Sequence, residues 1–191
     1  MNGWTDEKII ELIKSRLTEK RFEHSMNVAE SAKELALQYG ENPEKAYTAG
    51  LLHDVMKNAS EQEQLAVIAQ AGIELTQVEY ANKKLWHSIA GAAYVKTVMG
   101  IDDESIISAV RYHTTGRANM TLLEKIIYLA DFISAERTYN GVETMRKLCV
   151  ISLELAIEFA LVFSIPDLVK RGLVIHPDSL NLYNEIIMKK Q

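Results

Sequence analysis

The chain has 191 residues, 48% hydrophobic and 25% charged, the balance of one soluble globular domain, which excludes disordered, collagen-like and coiled-coil classes. Its 21 Lys and Arg against 26 Asp and Glu give a net charge of −5, with no basic block to release counterions from a duplex, so nucleic acid is excluded as a partner. Cys149 is the one cysteine and no charged-then-apolar leader opens the sequence, which points to a reducing cytoplasm rather than to disulfides or a cysteine zinc knuckle.

Apolar residues recur three to four apart, and three prolines and nine glycines fall between these segments, so the expected fold is all α. Thr5 starts an amphipathic helix through Ile9, Ile10, Leu12 and Ile13. A second spans about residues 18–39 and stops at Gly40, a residue suited to the left-handed position past a helix end. Asn42 as cap and Pro43 at the first helical position start a third, expected to reach about Lys57. Ser60 precedes a helix ended by Gly72, and Trp86 starts another that Gly100 ends. Asp102 precedes a helix over about 103–114, and a Thr121-x-x-Glu124 capping box precedes one over about 122–134.

The tail supplies helices over 142–149 and 153–163, a break or kink at Pro166, and a last helix after Pro177. Residues 148–166 are the longest apolar stretch, but Glu154 and Glu158 lie four apart within it, which a membrane span tolerates badly. It reads as a buried helix of a soluble protein, apolar enough that a homodimer is a further expectation. No repeat or linker divides the chain, so a single domain is expected over 1–191, with a core at about 18–135 and a helical C-terminal extension.

Of five histidines, four continue the apolar face of a helix. His24 shares a face with Val28, Ala32 and Leu35; His53 continues Ala46, Ala49 and Gly50; His113 extends Ile106 and Val110. Asp131 extends Leu123 and Ile127, which aims a carboxylate into the interior, where it needs a partner. Taken singly, each reads as a hydrogen-bonded core residue or a cap. Together, His24, the adjacent pair His53 and Asp54, and Asp131 offer nitrogen and oxygen ligands from three helices to one hard or borderline cation.

Neighbouring helical side chains diverge by about 100°, so the pair shares a target only if the cation lies between their faces, with Asp54 bridging toward a second site. Ala49 and Gly50 leave room for a neighbouring helix or a ligand. His87 and His113 would lie across that cavity, binding a second metal or phosphate oxygens. A mixed set without cysteine suits iron, manganese or zinc.

This series resembles the H…HD…H…H…D signature of the HD-domain superfamily of metal-dependent phosphohydrolases, which are all-helical bundles. The surrounding words, Arg21-Phe22-Glu23-His24-Ser25, Leu52-His53-Asp54-Val55-Met56-Lys57, Trp86-His87-Ser88-Ile89-Ala90-Gly91, Tyr112-His113-Thr114-Thr115-Gly116 and Leu129-Ala130-Asp131-Phe132-Ile133, are similar to those of the YqeK-type subfamily of symmetrical diadenosine tetraphosphate hydrolases, over roughly residues 5–187. The resemblance implies one or two divalent or trivalent ions, iron first, held by His24, His53, Asp54 and Asp131, with His87 and His113 on a second metal or on phosphate. It implies attack of a metal-activated water inside the tetraphosphate, with ADP leaving.

Asp54 or Asp131 would then take the water's proton, and Lys57, His87 or His113 would serve the departing oxygen. Arg21, Lys57, His87, His113, Arg137 and His176 are the implied nucleotide contacts. By themselves Arg21 and Arg137 read as surface or loop arginines, Lys57 as a lysine at a helix end, and His176 as the residue that starts a helix. A different nucleotide substrate, or a sensor that binds nucleotide without turnover, are the rival readings. The family's usual Glu-Pro before the arginine is replaced here by Ala135-Glu136, and its Ala-Arg-Asn word by Leu182-Tyr183-Asn184.

Overall fold

A computed structural model describes residues 3–190. Among them run α1 (Asp6–Arg16), α2 (Glu19–Tyr39), α3 (Pro43–Leu52), α4 (Glu61–Gln70), α5 (Gln77–Ala81), a 3₁₀ turn (Lys83–Leu85), α6 (Trp86–Thr97), α7 (Glu104–Tyr112), α8 (Leu122–Ile133), α9 (Val142–Ile151), α10 (Leu153–Lys170) and α11 (Pro177–Met188), with no strand.

The caps explain most of the starts. The Thr5, Asn42 and Ser60 side chains each accept from a backbone N–H three residues on. Thr121 and Glu124 close their capping box in both directions before α8. Gly40 adopts φ 78° at the end of α2, the left-handed region that glycine enters without a Cβ clash.

The core lies where α2, α3, α6, α7 and α8 meet, filled by Val28, Leu51, Leu52, Ile89, Ile106, Ile126 and Ile127, all essentially solvent-free. Each such side chain contributes roughly 1.5–3 kcal/mol by leaving water. Helices α9, α10 and α11 pack on the α8 side. The α2–α3 contact is set by one residue. A Cβ on Gly50 would stand 2.6 Å from the Ala29 Cα and 3.0 Å from its nitrogen, so only glycine lets these two backbones approach. The room expected beside Gly50 is filled by α2, the helix that carries His24.

Three expected elements differ, and one helix was not expected. The third helix stops at Leu52, and residues 53–59 continue as tight turns, with Lys57 N–H bonded to the Asp54 carbonyl at 2.8 Å. Asp103, not Asp102, caps α7, because its carboxylate accepts from both Ser105 and Ile106 N–H. Helix α10 runs through Pro166 without ending there. Pro166 and Val162, whose carbonyl loses its donor, are both exposed, so water can take that bond. Helix α5 went unforeseen although Thr76 and Glu79 form a complete capping box, since five residues are too few for an apolar period.

The stretch 148–166 is divided at Ser152, which caps α10. It is also less buried than expected, because Val150, Ile151, Val162 and Phe163 face solvent while Leu153, Ala156, Ile157, Ala160 and Leu161 enter the core. Among the described residues no helix is long and apolar enough to cross a membrane.

Candidate metal centre

His53 and Asp54 leave α3 just past its last turn, so the divergence of adjacent helical side chains does not separate them. The His53 Nε2 stands 3.5 Å from the Asp54 Oδ2, and both residues are buried. From α6 and the end of α7, His87 and His113 reach the other carboxylate oxygen. Their Nε2 atoms lie 3.2 and 3.6 Å from the Asp54 Oδ1. His24, from α2, places Nε2 3.9 Å from the Asp54 Oδ2 and 3.1 Å from the Asp131 Oδ1. The expected six residues therefore converge, with Asp54 between His24 and His53 on one side and His87 and His113 on the other.

The ring orientations follow one rule. The Nδ1 of His53 lies 2.6 Å from the Gly50 carbonyl oxygen, that of His87 2.7 Å from Lys84 O, and that of His113 2.8 Å from Val110 O, each three residues back along the chain. A carbonyl can only accept, so Nδ1 carries the proton in all three and the Nε2 lone pair is free to point at the centre. His24 obeys the same rule with a different partner, donating from Nδ1 to the Glu136 Oε1, 112 residues away. The second Glu136 oxygen accepts from Asn27 at 2.8 Å and the first also accepts from Ser134 Oγ at 2.8 Å.

Burial opposes charge on Asp54, but His53, His113 and His87 more than offset it and hold the carboxyl well below the usual range. Asp131 behaves alike, with burial outweighed by the neighbouring His24 and His53 imidazoles and by Arg137. Burial lowers the His87 imidazole to about 4 against the pull of Asp54. Two carboxylates are thus ionised at neutral pH.

Among the described residues, the His24 Nε2, the His53 Nε2 and the Asp54 Oδ1 are fully buried and lack a hydrogen-bond partner. Such orphans are expensive to bury without a ligand. These three belong to two overlapping sets whose ligand atoms all lie within 4.8 Å of one another: His24 with His53 and Asp131, and His53 with Asp54 and His113. Nitrogen and oxygen donors so arranged fit a divalent cation.

Cations line the rim. The Arg21 Nη1 donates to the Asp54 Oδ2 at 2.8 Å, and the Lys57 Nζ stands 3.0 Å from the His87 Nε2. Arg137 donates to the Asp131 carboxylate and, from Nε, to the Asp131 carbonyl at 2.8 Å. Asp131 is less interior than its helical face suggested, with a side chain 25% exposed, because it borders a groove.

That groove continues on both sides of the cluster. One hollow of about 370 Å³ is lined by Lys20, Arg21, His24 and Arg137. It shares Arg137 and Tyr139 with a second of about 260 Å³ at Asp131. The second shares Phe132 and Phe163 with a third of about 510 Å³ that Lys83, Lys84, Thr114 and His176 border. His176 caps α11, accepting from the Asp178 N–H at 3.2 Å, and lies at the groove end away from Arg21.

Glu136 is the site residue that sequence reasoning missed. It lies in a loop with no periodicity, and its only signal is a place next to Arg137.

Residues 21–136, more than half of the chain, match the HD domain family. The chain belongs to that family. The matched range includes all six convergent residues, His24, His53, Asp54, His87, His113 and Asp131. The HD chain is 39% identical to a protein named symmetrical bis(5'-nucleosyl)-tetraphosphatase from Halalkalibacterium halodurans, over 96% of this chain and 98% of the relative. It is 36% identical to a protein of the same name from Bacillus subtilis, over 95% and 97%. A crystal structure from Clostridium acetobutylicum, described as a "predicted HD superfamily hydrolase involved in NAD metabolism", superposes with a TM-score of 0.94 at 37% identity, over 97% of this chain and 98% of that one.

Proposed function

We propose that this HD protein hydrolyses diadenosine tetraphosphate symmetrically to two ADP. The observation that carries the reading is a donor cluster with Asp54 at its centre, set beside a groove that continues away from it in two directions. A substrate with a nucleoside at each end and a polyphosphate between needs that shape. The names of the relatives at 36% and 39% identity agree with it.

His24, His53, Asp54 and Asp131 would hold one metal ion, and His87 and His113 a second one or the phosphates. Iron is our first choice, with manganese and zinc as rivals for the same donors. When bound, such a cation supplies an activated water and offsets charge on phosphoryl oxygens. Arg21 and Arg137 grip phosphate oxygens on one side of the cluster. Lys57, beside His87, neutralises the departing oxygen, while Asp54 or Asp131 takes the proton from water. His176, with Lys83 and Lys84, faces the nucleoside at the far end. In this reading the HD core covers about 18–135 and the C-terminal helices form one wall of the groove. The protein works in the reducing cytoplasm, and a second copy covers the exposed apolar residues of α9 and α10; a sedimentation mass of one chain would exclude that dimer.

Product analysis tests the reading. Diadenosine tetraphosphate supplied with iron or manganese under anaerobic conditions should yield ADP alone. ATP plus AMP would overturn the symmetrical assignment. Turnover only of NAD, a nucleoside triphosphate, a deoxynucleoside monophosphate or a cyclic nucleotide would replace the substrate. Tight nucleotide binding without turnover would make the protein a sensor.

A further inference from the structure

The segment 134–137 joins α8 to the loop before α9 and holds both Glu136, which orients His24, and Arg137, which meets Asp131. It contains no proline, so nothing in its composition fixes the backbone. One guanidinium does. Arg146, on α9, donates from Nε to the Ile133 carbonyl at 3.1 Å. Its Nη2 donates to the carbonyls of Ser134 at 3.0 Å, Arg137 at 3.2 Å and Ala135 at 3.4 Å. The Ile133 carbonyl lies in the last turn of α8, where a helix leaves its carbonyls without intrahelical donors, and the Ser134 carbonyl also accepts from the Arg137 N–H at 2.9 Å.

We propose that Arg146 is a positioning residue for the metal centre: by gathering these carbonyls it sets Glu136 against the His24 Nδ1 and so aims the His24 Nε2. The proposal rests on His24 being a metal ligand. A lysine at 146 offers a point charge on a flexible stem and cannot hold several carbonyls in one plane, so the charge alone does not suffice. Glu143, which accepts from the Arg146 Nη1 at 2.5 Å, is exposed and touches none of the loop carbonyls.

The test is Mn(II) affinity, measured by the electron paramagnetic resonance of the free ion, in the metal-stripped full chain. Arg146→Lys should bind about tenfold more weakly, the lower end of what residues that orient ligands contribute, and Glu143→Gln should match the wild type. If Arg146 acts through Glu136, the effects do not add, and the double variant Arg146→Lys/Glu136→Gln binds no more weakly than Glu136→Gln alone. Undiminished affinity in Arg146→Lys, or losses that add in the double variant, overturns the proposal. Should the lysine variant fail to fold, Arg146→Met, which keeps an apolar stem, carries the same comparison. A wild type that binds no Mn(II) fails one step earlier, at the metal reading itself, and takes this proposal with it.

Discussion

The site is built in two ways. On the side of α3, α6 and α7, His53, His87 and His113 are each oriented by a carbonyl three residues back in their own segment. On the side of α2 and α8, His24 is oriented by Glu136, a loop residue from the other end of the domain. The first arrangement forms wherever the local turn forms. The second exists only when α2, α8, the loop and α9 are all in place, so its precision depends on packing at a distance.

Asp54 serves both sides, and its replacement should have the largest effect. Asp54→Ala is expected to abolish metal retention and turnover, a larger loss than the roughly 10- to 100-fold typical of residues that only orient ligands. Elemental analysis and the product assay measure this, while circular dichroism should show the helices intact. A fully active variant would falsify the shared centre.

The locally built side can be probed by acid. His87 is held at about 4 by burial, whereas in an unfolded chain a histidine takes up its proton near about 6.5. The unfolded state of metal-stripped protein therefore binds the extra proton first as the pH falls, and stability drops across that window by up to about 3 kcal/mol. Thermal melts at several pH values should show the slope, and His87→Gln should flatten it; an unchanged slope would assign the effect elsewhere.

The remotely built side should yield to a single surface-borne change. Glu136→Ala leaves the His24 Nδ1 without its acceptor and should weaken metal binding roughly 10- to 100-fold, with little change in melting temperature because the Glu136 side chain is 32% exposed. Equal losses in affinity and stability would mean that Glu136 is a folding residue. The smallest expected effect is a control at the end of α8 away from Asp131. Thr121→Ala removes the α8 cap and should cost about 1 kcal/mol of stability, about 2–4 °C in a domain of this size, with metal affinity unchanged.

Much of this was legible before any coordinates. Asn42, Ser60 and Thr121 announce helix starts because a cap is a short-range bond whose partners lie within one turn. The six convergent residues were legible as a set, since polar groups on apolar faces must meet something. Other features were hidden. The end of α3 at Leu52 removes the puzzle of adjacent ligands, and no residue between His53 and Lys57 is a helix breaker that would have marked it. Pro166 argued for a break that exposure to water made unnecessary. Glu136 and Arg146 carried no periodicity, because loop carboxylates and half-exposed arginines look alike in sequence whether or not they meet.

By itself the amino-acid order determined the all-helical class, the caps and which imidazoles and carboxylates were available, because those follow from hydrogen bonds and apolar periods within a few residues. Tertiary structure alone decided that Gly50 brings α2 against α3, and that Asp54 stands between two pairs of histidines. It also decided that a loop more than 100 residues from His24 turns its ring. Those outcomes depend on distances between segments far apart in the chain, which only the packed core defines.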